Sequence, residues 1–431
     1  MKVNFFMRLK ILSLIISVTL LLICFAPAAG ATTPAPDRIT HSMDIFPLSD
    51  SGILGVSSKG EWGECPENTL PAIEKAAETD IDFVLVDVKR TLDGVIILFS
   101  DDTTERMLDS EDIFTVADTD YSVLSAYKLR NACGGSNEKA TEYSIPTLQE
   151  ALETARECDI PLMIRCSVSL ISEVTAVLSE NDALSMAVIL TDGKIKEIGS
   201  ALSSLSEKPL IAGSIKGNVI FNILSYVNGL DELSASAVEL KTGNRYGINY
   251  YRSLLTTYAE NLRIIADPTT PEISGYREDS EMYWNDLISR GYSVIITDHA
   301  ERFSEYKRAC QKVRSELQEL YDKYVTNHTL PDFKDEYLSD IKKAYTDAVA
   351  RAETLLLDHS SSLQDMQECY SELFKAANDV NKNFSSLEDG SAGTTVTPVR
   401  IVLCIAAVAV VIIVQIYFFR RRKKGELKYA A

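Results

Sequence analysis

Short apolar segments rich in β-branched residues recur along the first two thirds of the chain and alternate with stretches of helical periodicity. The nine segments are 53–56, 83–88, 95–99, 162–164, 187–190, 210–215, 237–240, 262–266 and 293–297. Strands that alternate with helices are typical of parallel βαβ units. Residues 51–302 also have the length of one (β/α)8 barrel, so the pattern predicts an α/β fold of the TIM-barrel type.

Nine segments are one more than such a barrel needs. Segment 95–99 follows its predecessor after only a Thr-Leu-Asp-Gly turn, which is too short for a parallel crossover connection. We therefore expect one of the nine to be an excursion from the barrel.

Beyond His299 the apolar residues step by three and four, which is the spacing of narrow helical seams. Breaks at 328–331 and 358–362 divide this region into three segments, so we predict an antiparallel three-helix module over residues 303–382. The module is weakly similar to short helical repeats attached to many bacterial surface proteins. That similarity leaves two roles open, a spacer or a module that binds carbohydrate or protein.

Both ends of the chain carry membrane signals. Residues 1–31 combine three basic residues, an apolar run at 11–26 and small residues up to Ala31, which predicts a secretory signal peptide; an uncleaved anchor is the alternative. Residues 401–419 contain no charge and precede five consecutive basic residues at 420–424. This pattern predicts one transmembrane helix with a cytoplasmic basic tail at 420–431 and the ectodomain outside the cell membrane.

Composition fills in the remaining segments. Residues 32–50 are rich in Thr, Pro and Ala and predict a linker, and residues 383–400 predict a flexible tether. The net charge is −19; because the signal carries +3 and residues 400–431 carry +6, the ectodomain carries −28. Such an acidic surface would repel polyanions, which excludes a nucleic-acid partner. The charge has two possible roles, to keep the protein soluble or to attract cations such as calcium.

Six cysteines lie in the predicted ectodomain, at positions 65, 133, 158, 166, 310 and 369. An even number in an exported chain permits disulfides, but the spacing also allows free thiols, and both options stay open. None of the spacings is typical of a zinc site.

Several motifs of the barrel region resemble the glycerophosphodiester phosphodiesterase family. They are Pro66-Glu67-Asn68-Thr69-Leu70, Asp87, Thr91-Leu92-Asp93-Gly94, Ser100-Asp101, the Ile-Pro-Thr-Leu-x-Glu segment at 145–150, and the final-strand segment 291–298. The resemblance extends over about 250 residues and implies a TIM barrel with its active site at the carboxyl ends of the strands.

The family's chemistry needs a divalent cation held by carboxylates, two histidines as general acid and base, and a basic clamp for the phosphate. The first histidine motif, His-Arg-Gly, falls on Ser58-Lys59-Gly60, and the second histidine falls on Ser100. Both catalytic histidines are therefore replaced by serine, whose hydroxyl is too weak an acid or base for proton transfer unless it is activated. Lys59 keeps the positive charge of the clamp.

The metal positions are altered as well. The family's Glu-x-Asp pair falls on Leu85-Val86-Asp87, and its Glu-x-Lys pair falls on Arg165-Cys166-Ser167. Asp87 is the one carboxylate left, and a guanidinium at Arg165 would repel a cation. The resemblance therefore implies a degenerate barrel that needs no cofactor, with calcium or magnesium expected only if the enzyme is active.

Among the four histidines, only His299 follows a predicted barrel strand, and it is the fallback candidate for catalysis. His41 lies in the linker, and His328 and His359 lie in helix connections.

Acidic residues also follow predicted strands or turns. Asp101, Asp192 and Asp267 could line the barrel mouth, although capping of the next element is the simpler role. Glu64 and Glu67 flank a turn, where we expect Glu67 to make a structural hydrogen bond.

Two functions remain in competition. In the first, the barrel is a pseudoenzyme whose Lys59 and Arg165 bind a glycerophosphodiester or an anionic cell-envelope polymer, or it is only a surface scaffold. In the second, it is an active phosphodiesterase of lipid metabolism in which Asp87, Asp101, Asp298 and His299 supply relocated ligands and a base.

Overall fold

The computed structural model describes residues 37–47, 52–216, 220–241, 262–269, 279–326, 336–358 and 361–388. Among these residues, no helix is both long enough and apolar enough to cross a membrane. The predicted signal peptide 1–31, tether end 389–400, transmembrane segment 401–419 and basic tail 420–431 lie outside the described residues, and they stay predictions.

Eight parallel strands close into a barrel, and a ninth strand stands outside it. The strands are β1 (Leu54–Ser58), β2 (Phe83–Arg90), β3 (Ile96–Leu98), β4 (Leu162–Ser167), β5 (Ala187–Asp192), β6 (Leu210–Lys216), β7 (Ala237–Lys241), β8 (Arg263–Ala266) and β9 (Val294–Thr297). Each barrel strand pairs in parallel with the next, and pairing of β1 with both β2 and β9 closes the ring. Strand β3 pairs antiparallel with β2, so the predicted excursion is confirmed.

Helices occupy the outside of the barrel and form the region after it. They are α1 (Arg38–Ile45), α2 (Leu70–Ala77), α3 (Tyr121–Leu124), α4 (Leu148–Glu157), α5 (Ile171–Glu180), α6 (Ile195–Ser203), α7 (Ile220–Glu232), α8 (Glu281–Ser289), α9 (Ala300–Tyr321), α10 (Glu336–Leu357) and α11 (Leu363–Glu388). Helix α4 begins at a capping box: the Thr147 hydroxyl accepts from the Glu150 amide, and the Glu150 carboxylate accepts from the Thr147 amide. These two hydrogen bonds satisfy amides at the start of the helix.

Residues on each strand alternate between two apolar clusters. Val84 and Val86 pack outward against the helices, whereas Phe83 and Leu85 pack into the barrel interior. Side chains of a strand alternate with a period of two, so Asp87 continues the inward row at the carboxyl end of β2. On the other barrel strands, the same alternation places an inward-facing residue at the carboxyl end of the barrel.

The predicted linker 32–50 was wrong for its second half, because residues 38–45 form helix α1. Asp159 accepts hydrogen bonds from the first two amides of this helix, at 2.7 and 3.1 Å. Met43 and Phe46 enter the apolar cluster inside the barrel and close its amino-terminal end. The fully buried Arg263 donates to the carbonyl oxygens of Ile45, Phe46 and Gly52, which holds the end of the helix in place.

Helices α9, α10 and α11 occupy the region of the predicted three-helix module, and its predicted start at residue 303 falls inside helix α9. Phe303 and Tyr306 of α9 belong to the barrel's outer cluster, while Leu317 and Leu320 belong to the bundle's own core. One helix is therefore shared by the barrel and the bundle.

Candidate functional site at the barrel mouth

The inward row of each strand ends in a polar or charged side chain at the carboxyl end of the barrel. We call this set of eight residues, one from each barrel strand, the mouth layer: Ser58, Asp87, Arg165, Asp192, Ser214, Glu239, Asp267 and Asp298. A cleft of about 310 Å³ opens beside it and is lined by residues that include Asp87, Ser100, Arg165, Ser214 and Glu239. The cleft therefore opens at the carboxyl ends of the barrel strands.

Arg165 on β4 lies at the centre of a group of carboxylates. Its Nη2 atom is 2.7 Å from Oδ2 of Asp267 and 3.3 Å from Oε1 of Glu239, and its Nη1 atom is 3.7 Å from Oδ1 of Asp87. The Glu239 side chain is fully buried, and the Arg165 side chain is 22% exposed. Burial opposes the charged guanidinium, but the three carboxylates outweigh it and raise the pKa of Arg165 above its ordinary value. Arg165 is therefore a permanent cation held by three neighbouring carboxylates.

Several atoms around Arg165 have incomplete hydrogen bonding. Oε2 of Glu239, Oδ1 of Asp87 and Nε of Arg165 are buried and make no hydrogen bond with the described residues. Lys241 lies 3.5 Å from Oε2 of Glu239 as an ion pair. Oδ2 of Asp87 accepts a hydrogen bond of 2.7 Å from the Ser100 hydroxyl. The carboxylates of this group retain unused acceptor atoms.

Lys59 and Arg106 form a second charged group with Glu67. Lys59 Nζ donates to both Glu67 carboxylate oxygens at 3.1 Å, and Arg106 Nη2 donates to the same carboxylate at 2.6 Å. Arg106 Nε also donates to Asp101 at 2.6 Å. Burial disfavours the Arg106 cation, but the bonds to Glu67 and Asp101 outweigh it and raise its pKa. We expected Glu67 to make a structural hydrogen bond in its turn. In the structure it is buried and forms ion pairs with both Lys59 and Arg106.

The loop after β1 keeps an unusual backbone around Lys59. Lys59 and Gly60 have φ angles of 60° and 80°, both in the left-handed region. A Cβ added to Gly60 would lie 2.5 Å from the backbone of Ala72, so only glycine fits there. Asn68 then bridges the site by donating to the Ser100 hydroxyl at 2.8 Å and accepting from the Asp87 amide at 2.9 Å. The turn motifs that carry the resemblance thus still position the mouth residues.

Asp298 ends the inward row of β9. Burial and the neighbouring Asp279 raise its pKa to about 6, although a hydrogen bond from Ser58 and the charge of Lys59 oppose the shift. Asp279 accepts hydrogen bonds from the Thr297 hydroxyl at 2.8 Å and from the Asp298 amide at 2.6 Å. A carboxyl group with a pKa near 6 therefore lies beside Ser58 and Lys59.

Neither described histidine lines the cleft. His299 is exposed, begins helix α9, and donates its amide to the Thr297 hydroxyl at 3.0 Å. His41 lies on α1 at the opposite end of the barrel. His328 and His359 lie outside the described residues.

Of the other acidic residues predicted from the sequence, some form ion pairs with Lys or Arg and one is exposed to solvent. Asp101 pairs with Arg106, Asp192 lines the cleft and is exposed, and Asp267 pairs with Arg165. Asp267 also accepts bonds from the amide and hydroxyl of Thr269, so it caps the loop as well. Glu64 pairs on the surface with Lys75.

The residues present do not fit a divalent cation. The position among Asp87, Glu239 and Asp267 is taken by the Arg165 guanidinium. Over the described ranges, no group of three His, Cys, Asp or Glu side chains is arranged to hold a metal ion. The relocated set of Asp87, Asp101, Asp298 and His299 is not brought together as metal ligands, because Asp101 binds Arg106 and His299 points to solvent.

The six cysteines of the predicted ectodomain, at positions 65, 133, 158, 166, 310 and 369, are unpaired in the structure, so of the two options left open by the sequence it shows free thiols. Cys166 lines the cleft, and burial, together with the charge of Asp192, raises the pKa of its thiol to about 12. A thiol that stays protonated at neutral pH is a poor nucleophile, so Cys166 does not replace the missing catalytic groups.

Comparisons with known proteins give a family match for part of the barrel. Residues 59–202 match the sequence model of the Glycerophosphoryl diester phosphodiesterase family. The chain is 31% identical over 113 residues to the Uncharacterized protein YqiK of Bacillus subtilis (strain 168), covering 26% of this chain and 44% of the relative. It is 30% identical over 106 residues to the Glycerophosphodiester phosphodiesterase of Caldanaerobacter subterraneus subsp. tengcongensis, covering 25% of this chain and 42% of the relative.

The matched region spans less than half the length of these curated relatives. Among solved structures, a glycerophosphoryl diester phosphodiesterase from Parabacteroides distasonis is 18% identical, with a TM-score of 0.49, over 62% of this chain and 90% of that chain. The family match therefore covers residues 59–202, which form part of the eight-stranded parallel barrel.

The sequence reasoning missed several residues of the site, among them Glu239 and Arg106. Glu239 lies within the apolar strand Ala-Val-Glu-Leu-Lys, and a glutamate there is rarely buried unless it is paired. That isolated charge was a usable signal. Arg106 lies in the excursion after β3, and its pairing with Glu67, 39 positions away, has no local signal.

Proposed function

We propose that the barrel is a catalytically degenerate glycerophosphodiester phosphodiesterase-like domain that acts as a surface scaffold. In this proposal, a transmembrane helix at 401–419 anchors it outside the cell membrane. The observation that carries the proposal is the Arg165 guanidinium, which is ion-paired with Asp87, Glu239 and Asp267. The guanidinium occupies the place where the chemistry of the family needs a metal ion.

The proton-transfer groups support the same proposal. Ser58 and Ser100 stand where the resemblance places the two catalytic histidines, and the Ser100 hydroxyl donates to Asp87. A serine hydroxyl is a far weaker acid and base than an imidazole near neutral pH, so neither serine replaces a histidine in proton transfer. The mouth thus lacks, among the described residues, an acid–base pair in the positions that the family uses.

A scaffold role is better supported than binding of an anionic ligand. Lys59 is already paired with Glu67, and Arg165 has three carboxylate partners. A phosphate entering the cleft would compete with these carboxylates and meet their repulsion. We therefore expect glycerophosphodiesters and anionic envelope polymers to bind weakly or not at all.

One observation favours the alternative of an active phosphodiesterase. The pKa of about 6 at Asp298 lies in the range that suits general acid or base catalysis. Asp298 lies beside Ser58, so an unconventional hydrolase would be expected to depend on this carboxyl group.

The experiment that separates these functions is hydrolysis of glycerophosphocholine and glycerophosphoglycerol by the purified full-length chain in detergent. Each substrate is offered with calcium, with magnesium and with EDTA, beside the variants Asp87→Ala and Asp298→Asn. We expect no turnover above the background of the substrate alone. Turnover by the natural chain that is lost in either variant would establish the active enzyme and overturn the scaffold proposal.

Ligand binding is measured separately by calorimetric titration of the same glycerophosphodiesters. Absence of heat with the natural chain agrees with a scaffold. Saturable binding that is lost in Lys59→Ala would instead assign the mouth to an anionic ligand.

A further inference from the structure

We infer that the excursion between β2 and α4, residues 91–147, carries a docking surface for a basic polypeptide segment with apolar side chains. The excursion is built on strand β3 and has an apolar core of its own, to which Phe99, Met107 and Leu124 belong. Its surface is separate from the mouth layer. The inference therefore goes beyond the proposed function and holds whether or not the barrel hydrolyses a phosphodiester.

Three large apolar side chains of the excursion are exposed although an apolar core lies beneath them. Leu92 is 62%, Ile113 59% and Val123 40% exposed, and they are half of the six large apolar side chains that are exposed in the described part of the chain. Their neighbours Phe114 and Leu124 pack in or against the core of the excursion. Single exposed apolar residues are ordinary on a protein surface, whereas several on one small unit are typical of an interaction surface.

Hydrogen bonds hold together the segments that carry these side chains. The amide of Leu92 donates to the carbonyl oxygen of Thr119 at 3.0 Å, and the hydroxyl of Thr119 donates to the carbonyl oxygen of Thr115 at 2.8 Å. Asp93 accepts a hydrogen bond of 3.0 Å from the amide of Tyr121, the first residue of α3. The turn with the exposed leucine, the segment that follows the exposed isoleucine and helix α3 are thus held as one unit.

The same span is more acidic than the rest of the predicted ectodomain. Residues 92–123 contain nine Asp or Glu and one basic residue, Arg106, a net charge of −8 in 32 residues. Because the ectodomain carries −28 in total, its other 336 residues share −20, so the span is about four times as acidic per residue. Six of its carboxylates are exposed and make no ion pair with the described residues, namely Asp93, Glu105, Glu111, Asp112, Asp118 and Asp120. We call these carboxylates and the three exposed apolar side chains the excursion face.

The charge of the excursion face selects the kind of partner. A second copy of this acidic ectodomain, an anionic lipid surface and a nucleic acid would all be repelled by it. A free cation would balance the carboxylates but would leave the apolar side chains in water. A polypeptide segment with Lys or Arg beside apolar residues satisfies both features, because its charges steer the encounter and its apolar groups are buried in the complex. The basic cluster of this chain at 420–424 is predicted on the other side of the membrane, so the partner is another polypeptide.

The measurement is fluorescence anisotropy of labelled peptides titrated with the full-length chain in nanodiscs of zwitterionic lipid, with empty nanodiscs as the blank. Three peptides of equal length are used: one of Lys, Leu and Ser, one with every Leu replaced by Ser, and one with every Lys replaced by Glu. We expect the first peptide to bind at least about tenfold more tightly than either of the others. It should lose most of that advantage at about 1 M salt, where the Debye length falls to about 3 Å.

Two double variants test the two parts of the excursion face. Leu92→Ser with Ile113→Ser should weaken binding of the Lys-Leu-Ser peptide roughly tenfold, because apolar burial is lost. Glu111→Gln with Asp112→Asn should weaken binding and flatten its dependence on salt. All four side chains are exposed, so both variants should unfold thermally as the natural chain does. If the apolar variant nevertheless fails to fold, the charge variant decides the test.

The matched control is Leu357→Ser at the end of α10, where the side chain is 80% exposed but lies outside the excursion. This variant should bind the Lys-Leu-Ser peptide as the natural chain does. An equal loss of binding in the control and in the excursion variants would overturn the inference, and so would equal binding of the three peptides.

Two further results would assign the excursion face to a different occupant and thereby overturn the inference. One is self-association of the natural chain that is lost in Leu92→Ser with Ile113→Ser, measured by sedimentation velocity. The other is binding of the natural chain to vesicles of phosphatidylcholine and phosphatidylglycerol that is lost in the same variant. None of these measurements depends on turnover, so failure of the docking inference and failure of the scaffold proposal are distinguished.

Discussion

At the scale of single residues, the mouth combines charges that the sequence places far apart. Arg165 contacts Glu239 and Asp267, which follow it by 74 and 102 positions. The family resemblance placed Arg165 at the mouth and implied that it stands where the family has an acidic metal ligand. It could not show which carboxylates surround the arginine, because Glu239 and Asp267 lie outside the motifs that carry the resemblance.

Asp298 gives a prediction about pH. Its folded-state pKa of about 6 lies above the ordinary value of 3.8, so the folded protein binds a proton more tightly than the unfolded chain does. The stability that this proton contributes is present below pH 4 and is lost as the pH rises towards 6. Replacing the carboxyl with the amide of Asp298→Asn removes this dependence.

We therefore expect Asp298→Asn to gain stability over the natural chain by about 1–2 kcal/mol between pH 4 and pH 7. Urea unfolding at a series of pH values, read as the difference between the two proteins, gives the measurement. A difference that is constant with pH would show that Asp298 ionises normally in the folded state.

At the scale of elements, the strand pattern was predictable because inward and outward residues alternate on every barrel strand. The short turn before 95–99 also revealed the excursion correctly. Helix α1 was missed because its eight residues carry only a weak helical pattern and follow a Thr/Pro/Ala-rich stretch. Its burial also depends on contacts with barrel strands that come later in the sequence.

Helix α1 gives a prediction about stability. Phe46 is fully buried and packs edge-on against Phe83 inside the barrel, with ring centroids 5.3 Å apart. Phe46→Ala leaves a cavity at the closed end of the barrel and should destabilise the protein by about 3 kcal/mol.

The matched substitution is Phe374→Ala in α11, where the side chain is nearly half exposed. It should cost well under half as much, because exposed apolar groups lose little on truncation. Chemical denaturation of both variants, followed by tryptophan fluorescence, compares them. Equal losses would mean that α1 does not close the barrel.

At the scale of the whole molecule, the prediction of where the barrel lies in the cell rests on the two ends of the sequence, which lie outside the described residues. A signal peptide at 1–31 and a transmembrane helix at 401–419 remain predictions from the sequence alone. The boundary between barrel and bundle was misplaced because α9 has one uninterrupted apolar pattern, although its first half packs on the barrel and its second half on α10 and α11.

The predicted topology is tested by protease treatment of intact cells that express the chain with an epitope tag after Ala431. The barrel should be degraded, while the tag and the adjoining membrane segment remain protected until the cells are lysed. Loss of the tag in intact cells would place the basic tail outside, and a fully protected chain would show that the ectodomain is not exported.

Helix α9 runs from the mouth of the barrel towards the opposite, amino-terminal end of the strands. It begins at the mouth, where His299 follows β9, and its Lys307 reaches Asp82 at the opposite end of the barrel. Helix α11 begins beside Tyr306 and continues for 26 residues, about 39 Å, with the bundle. Helix α11 therefore runs away from the mouth over its length. In the proposed topology, with an anchor at 401–419, the charged mouth would face the surroundings of the cell, and molecules arriving from outside would meet it before the lipids of the bilayer do.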